Sequence, residues 1–195
     1  MTTPEASGVT ATTDEGRAIA TLTIAFSSDP VARWVFPDAG RYLTYWPRFV
    51  SALAANAFAA GTADSIDDCG GVALWLPPGL GPDDEAMAAI VAEAVPEPDQ
   101  EEVFDVMGQM GEYHPTEHHW YLPLVGVDST KCGGGLGSAL LRHAAERCDR
   151  EGLPAFLEAT NPRNRRLYAA YGFEELGVIQ AGKSAPLWPM LRKPR

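Results

Sequence analysis

The spacing of apolar residues divides the chain into helical and extended stretches. Ala18, Ile19, Leu22 and Ala25 form a helical stripe that Thr13 or Asp14 can cap. Ser27-Ser28-Asp29-Pro30 ends this helix, and Val31–Pro37, which carries Trp34 and Phe36, reads as a loop. Tyr42–Ala60 is alanine-rich with helical spacing, and Gly61 stops it. Thr62–Ile66 and Gly71–Leu76 read as strands of a hairpin turning at Asp67-Asp68-Cys69-Gly70. Ahead of these, Gly8–Thr12 suits a short edge strand, and Met1–Ser7 is a polar, frayed start.

The second half has a simpler rhythm. Acidic residues 81–113 predict a helix over Pro82–Ala94, a break at Pro96 and Pro98, and another helix from about Gln100. Trp120–Val127 is an apolar strand. After a short polar link, Leu136, Leu140, Ala144 and Cys148 recur every four residues, a helix over Leu136–Arg150. Gly152 and Pro154 make a turn into Ala155–Ala159, a strand most simply parallel to Trp120–Val127. A helix starts at Asn161-Pro162 and stops at Gly172, and Glu174–Gln180 with Pro186–Leu191 forms a last antiparallel pair. The pattern is α/β: antiparallel hairpins around one central strand–helix–strand unit.

A length of 195 residues is expected to make one domain with a sizeable core. The net charge of −11 argues against nucleic acid as a partner. That charge is unevenly spread. Residues 1–126 carry 19 acidic and 4 basic side chains, whereas residues 127–195 carry 7 acidic and 11 basic ones. The acidic part either attracts a cationic ligand or is solubilising surface. Apolar stretches such as Ala86–Val95 are too short to span a bilayer, so no membrane association is expected. With no signal-peptide pattern and three widely spaced cysteines, a reducing cytoplasm is the expected location.

Candidate chemistry centres on Gly133-Gly134-Gly135-Leu136-Gly137, between the central strand and its helix. Glycines let backbone approach a ligand closely, and the first N–H groups of a helix have no partner within it. A phosphate placed there meets several donors and the positive end of the helix dipole. A Walker A loop is excluded, because Ser138 and Ala139 follow Gly137 where Lys and Ser/Thr are required. A dinucleotide fingerprint fails in both registers, its last position falling on Ser138 or Leu140.

Cys132-Gly133-Gly134-Gly135-Leu136-Gly137 instead resembles the coenzyme A pyrophosphate loop of the GNAT N-acetyltransferase superfamily, Q/R-x-x-G-x-G/A. Asn164, Tyr168 and Gly172-Phe173 match further positions of that family in order. The segments YLPLVGV, FLEATNPRN, LYAAYGF and PLWPMLRKP are similar to the puromycin N-acetyltransferase subgroup. The resemblance implies a mixed, mostly antiparallel sheet of six to seven strands with a central splayed parallel pair and helices on both faces. It implies acetyl-CoA as cosubstrate and a small-molecule amine, antibiotic- or aminonucleoside-like, as acceptor. A protein amine is the alternative acceptor, and a coenzyme A sensor without turnover is the alternative function. One departure stands out. Cys132 occupies the Gln/Arg position, so a side-chain donor to the pyrophosphate is missing, and Lys131 is a candidate to compensate.

On this resemblance the cosubstrate lies along Val125, Gly126 and Val127, with its pyrophosphate on Cys132 to Ser138 (Gly133, Gly134, Gly135, Leu136 and Gly137 between) and its arm on Asn164. Tyr168 is the implied general acid. Pro123 and Gly126 favour an irregularity in the strand that frees backbone N–H groups. Glu158 lies among apolar residues near a buried strand end, and is either a general base with a raised pKa or a structural acceptor. Trp34, Trp75, His119 and Tyr121 are candidate acceptor-pocket walls, each alternatively a core residue. His114, Glu117, His118 and His119 suit a base, a relay or an acceptor contact. A metal site is not expected there, since adjacent His118 and His119 point to opposite faces of a strand.

Overall fold

The computed structural model describes residues 8–195; the polar start at Met1–Ser7 lies outside the described residues. Seven strands form one sheet: β1 (Thr10–Ala11), β2 (Ala63–Ile66), β3 (Gly71–Leu76), β4 (Trp120–Val127), β5 (Ala155–Ala159), β6 (Phe173–Glu175) and β7 (Trp188–Arg192). Their spatial order is β1-β2-β3-β4-β5-β7-β6. Every neighbouring pair is antiparallel except β4 with β5, as the sequence predicts.

Among the described residues, seven α-helices flank the sheet: α1 (Glu15–Ala25), α2 (Pro30–Val35), α3 (Ala39–Ala59), α4 (Asp84–Ala94), α5 (Glu97–Tyr113), α6 (Leu136–Glu151) and α7 (Pro162–Ala170). Strand alternation sorts the two faces. Val72, Leu74, Leu76, Tyr121, Leu124 and Phe156 pack in the core beneath α1, α3 and α4. Ala73, Trp75, Trp120, Leu122 and Leu157 pack on the opposite face with Leu140, Ala144 and Cys148 of α6.

Several boundaries differ from the sequence expectation for local reasons. Val31–Pro37 is helical over most of its length rather than a loop. Asp29 accepts from the N–H groups of Val31 and Ala32 at 3.0 and 3.1 Å, and Pro30 opens the helix. Helix α3 starts three residues before Tyr42, because Asp38 caps it through the Arg41 N–H. Pro98 falls in the first turn of α5, where a missing N–H costs nothing, so the helix begins at Glu97 rather than near Gln100.

The irregularity expected in the central strand is present. Leu74 pairs with Leu124 but Leu76 with Tyr121, so β4 carries one extra residue around Pro123. Gly126 has a different task from the one expected. A Cβ there would stand 2.7 Å from the Ala25 Cβ and 3.0 Å from Leu22 Cδ2, so its small size lets α1 lie directly on β4. Gly126→Val is expected to lower stability by about 1–3 kcal/mol through overpacking. The check is a lower urea midpoint at unchanged m value; an unchanged midpoint would show that α1 yields freely.

Candidate active site

The parallel seam between β4 and β5 opens almost at once. Only Trp120 and Tyr121 pair across it, with Ala155 and Phe156, so the β5 side of β4 from Leu122 to Val127 has no strand partner. Backbone polar groups left unpaired in this way need a partner. Beyond the end of β4, a 3₁₀ turn at Ser129–Lys131 leads into the glycine loop. Gly133 and Gly135 adopt φ of +84° and +82°, a region that side-chain-bearing residues rarely enter. Gly135 begins α6 without any side-chain cap. Asp14, Asp29, Asp38, Asp83 and Asn161 supply that cap for α1, α2, α3, α4 and α7. Helix α5 also lacks a side-chain cap, but only α6 among the seven helices is entered from a positive-φ glycine loop that lines a cleft, which leaves its first N–H groups available to an anion.

A cleft of about 520 Å³ lies over this seam. Val125, Gly126, Val127, Cys132, Gly133, Gly135, Leu136, Gly137, Ser138, Asn164 and Tyr168 all line it. Gly134, expected among them, is turned back instead, its N–H donating to the Lys131 carbonyl at 3.4 Å. Cys132 is exposed, and its thiol approaches the Asp128 carbonyl at 3.6 Å. Lys131 also lines the cleft, but its ammonium is paired with Asp67 Oδ2 at 2.9 Å. That partner belongs to the hairpin turn, where Asp67, Asp68 and Cys69 all have positive φ.

Helix α7 brings Tyr168 and Asn164 to the cleft one turn apart. Asn164 is exposed at the rim, whereas Tyr168 is buried. Burial pushes the Tyr168 phenol well above its usual value, with the Asp29 charge adding to the rise, so it keeps its proton at neutral pH. Tyr171 has a structural task, donating to the Ser138 carbonyl at 2.9 Å and so tying α7 to the start of α6.

A second cavity, of about 100 Å³, lies on the α1–α5 face of the sheet and shares Phe26 and Asp29 as walls with the cleft. Trp34, Tyr121 and Glu158 line it together. The Glu158 side chain forms part of the wall, but its Oε1 is enclosed and has no hydrogen-bond partner. Burial raises its pKa to about 8, an effect the Tyr121 hydroxyl offsets only in part. Asp29 spans both cavities. Beyond capping α2, it accepts a hydrogen bond from the Thr160 hydroxyl at 2.5 Å, and burial raises its pKa. In sequence Asp29 stands only in the Ser27–Pro30 run that ends the first helix, so Asp29 and Thr160 carry no recognisable signal of a site.

Two candidates lie elsewhere. Trp75 is on the opposite face of the sheet, fully buried, because odd positions of β3 face α6. It shares the Arg147 guanidinium with Trp120, at 5.4 and 4.1 Å from the two rings. His119 lines neither cavity. Its Nε2 meets His114 Nε2 at 3.0 Å, and the His114 ring stands edge-on to Tyr121 and Phe156 at 4.7 and 4.9 Å. Burial, with His119 beside it, lowers the His114 pKa to about 4, so the ring is neutral near pH 7. Among the described residues, no group of three His, Cys, Asp or Glu side chains is placed to hold a metal ion, and no helix is long and apolar enough to cross a membrane.

Known proteins match this arrangement. Residues 71–173, from β3 to the start of β6, fit the family model described as the acetyltransferase (GNAT) family. An uncharacterized N-acetyltransferase of Schizosaccharomyces pombe is 26% identical over 204 residues, covering 93% of this chain and 80% of that protein. A Corynebacterium glutamicum structure, described as histone acetyltransferase HPA2 and related acetyltransferase, is 26% identical with a TM-score of 0.65, covering 96% of each chain. Arylalkylamine N-acetyltransferase 2 from Aedes aegypti shares the fold, with a TM-score of 0.63 at 15% identity over 93% of this chain and 94% of its own. With the family model matched over more than half of its length, on the strands and glycine loop that build the open seam, the chain belongs to the GNAT acetyltransferase family.

Proposed function

We propose that this acetyltransferase moves an acetyl group from acetyl-CoA to the primary amine of a small molecule by direct attack. The observation that carries the reading is the meeting of two cavities at Phe26 and Asp29, one walled by Tyr168 and the other by Glu158. The residues present suit coenzyme A. The unpaired edge of Leu122–Val127 offers backbone partners to a pantetheine arm, and the uncapped α6 N-terminus with its positive-φ glycines suits a pyrophosphate. Bound acetyl-CoA supplies an activated acyl carbon and a thiolate leaving group. The similarity of several segments to the puromycin N-acetyltransferase subgroup favours a small acceptor over a protein one. Three free cysteines suit a reducing, cytoplasmic setting.

The chain's own residues then handle protons. Glu158 accepts one from the incoming ammonium, freeing the nitrogen lone pair to form the C–N bond as the C–S bond breaks. Tyr168 gives its proton to the departing sulfur. The second proton lost by nitrogen restores the tyrosine, and Glu158 returns its own to solvent. The products are an N-acetylated amine, free coenzyme A thiol and one released proton.

Acetyl-CoA is expected to raise the melting temperature, and amines to release thiol in its presence. No thermal shift at millimolar acetyl-CoA would remove the reading. The absence of a Gln or Arg donor at Cys132 and the engagement of Lys131 with Asp67 favour weak cosubstrate binding, which also suits a coenzyme A sensor. Cys132→Arg is expected to tighten acetyl-CoA binding by about one to two decades, the worth of one charge-assisted hydrogen bond. Calorimetry of both proteins measures this, and equal affinities would show that the backbone alone holds the pyrophosphate.

A further inference from the structure

The second cavity is unusual in what its walls lack. Trp34, Phe36, Phe49, Met87, Met107 and Met110 supply apolar surface on several sides. The polar groups on its lining residues are few: the carboxyl groups of Asp29 and Glu158, the hydroxyls of Thr160 and Tyr121, and the indole N–H groups of Trp34 and Trp46, the last buried without a partner. Asp29 stands on the wall shared with the cleft that holds Tyr168. Thr160 already donates to Asp29, and one Glu158 oxygen is enclosed without any donor. A buried acceptor atom in that condition calls for a donor from a ligand.

We infer that the acceptor is a primary amine on a compact apolar body, such as a phenyl ring or a branched alkyl chain. Its ammonium stands between Asp29 and Glu158, and its body fills the cavity beneath α2, α3 and α5. This rests on the acetyl-transfer reading above and narrows it to a substrate class. Three physical arguments lead there. The cavity volume of about 100 Å³ is on the order of a single ring; an apolar protein cavity of about 150 Å³ accepts benzene. Methionine walls are adaptable, which suits a small body of variable outline. A sugar, a polyamine or a polar nucleoside would bury several hydroxyls, amines or ring nitrogens against Phe49, Met87 and Met107, where the single indole N–H of Trp46 leaves most of them unpaired.

The position of Asp29 also orients the amine. Backbone N–H groups of Val31 and Ala32 and the Thr160 hydroxyl fix its carboxylate from two elements. The ammonium is thereby held at the junction of the two cavities, with the apolar body pointing away from the cleft. Asp29 is in this sense a specificity-determining residue: it selects a cationic head, while the aromatic and methionine walls select the body. The 19 acidic side chains of residues 1–126, against 4 basic ones, add a field that draws cations to this half of the molecule.

The test uses the full chain with saturating coenzyme A for binding and acetyl-CoA for thiol release. The probes are phenethylamine, isoamylamine, spermidine, glucosamine and a short lysine peptide. The two apolar amines are expected to exceed the others in kcat/KM by about 10²-fold, the discrimination a shaped apolar pocket supplies. By calorimetry, 2-phenylethanol, which lacks the charge, binds at least about tenfold more weakly than phenethylamine. In Asp29→Asn that gap is expected to shrink to about twofold, while 2-phenylethanol binding is unchanged. The amide still accepts from the α2 N–H groups, so the helix cap survives, and an unaltered circular dichroism spectrum verifies it. Preference for spermidine, glucosamine or the peptide overturns the inference, as does an unchanged charge gap in Asp29→Asn. Phenethylamine binding without thiol release upholds the pocket and overturns acetyl transfer. Thiol release from polar amines without binding of the apolar ones does the reverse. Neither binding nor release overturns both.

Discussion

Replacing Tyr168 with phenylalanine is expected to lower the rate of thiol release at saturating acetyl-CoA by about 10²–10⁴-fold, the usual worth of a positioned general acid. Acetyl-CoA affinity is expected to change little, because the role proposed for the hydroxyl is in bond breaking rather than in binding. The expectation comes from three features of the residue. Helix α7 places its ring on the cleft wall, burial keeps its phenol protonated, and among the described residues its hydroxyl has no hydrogen bond that the fold needs. Removing the oxygen therefore leaves packing against Phe173 in place. Stopped assays at several acetyl-CoA concentrations separate kcat from KM. An unchanged kcat would assign the proton to water, and a chain that binds acetyl-CoA but releases no thiol with either residue would be a sensor.

Glu158→Gln is the second change with a large expected effect, and it shows most clearly across pH. With a pKa raised to about 8, the Glu158 carboxyl is largely protonated at pH 7 and cannot accept a proton. Wild-type kcat is expected to climb roughly tenfold per unit below pH 8 and to level off above it. The amine's own titration contributes to any such slope, so the comparison is made with one acceptor in both proteins. The glutamine variant loses about 10²-fold or more in rate and loses the step near pH 8. Stability moves the opposite way. The folded state holds the Glu158 proton more tightly than the unfolded chain, so the carboxyl's contribution is fully present below the usual glutamate range and is lost as pH rises through about 8. The loss is on the order of a few kcal/mol. Urea midpoints of the wild type should fall between pH 5 and 8, and those of Glu158→Gln should fall less. Parallel curves would mean that the carboxyl is solvated in the folded protein.

How much of the site was legible follows the distance over which its residues cooperate. The strand Trp120–Val127, the glycine loop and the Leu136 helix are contiguous, so their apolar period and glycine spacing describe most of the unit, Gly134, which turns back to Lys131, being an exception. Asn164 and Tyr168 sit one turn apart on a single helix, and order along the chain is enough to pair them. Glu158 was legible as an acid in an apolar strand. Trp75 misled, because a tryptophan in a buried strand is compatible with either face, and only the register of β3 against β4 decides which. Gly126 misled in another way. Its absent side chain answers to Ala25 and Leu22 of a helix a hundred residues earlier, and no local pattern records that contact.

The amino-acid pattern is enough for the α/β class, the parallel centre flanked by hairpins, and the glycine-rich, uncapped start of α6. These depend on periodicity, turn residues and backbone freedom, which act over a few residues. Tertiary structure alone decided that Asp29 lies between the two cavities, that Thr160 joins it from 131 residues away, and that Lys131 turns to Asp67. It also decided that an apolar cavity forms beneath α2, α3 and α5. The physical reason is that a helix cap, an ion pair and an apolar stripe look the same in sequence whether they face solvent, a neighbour or a ligand. Only packing, by excluding water from one side of Asp29 and Glu158, turns ordinary carboxyl groups into the walls of a site.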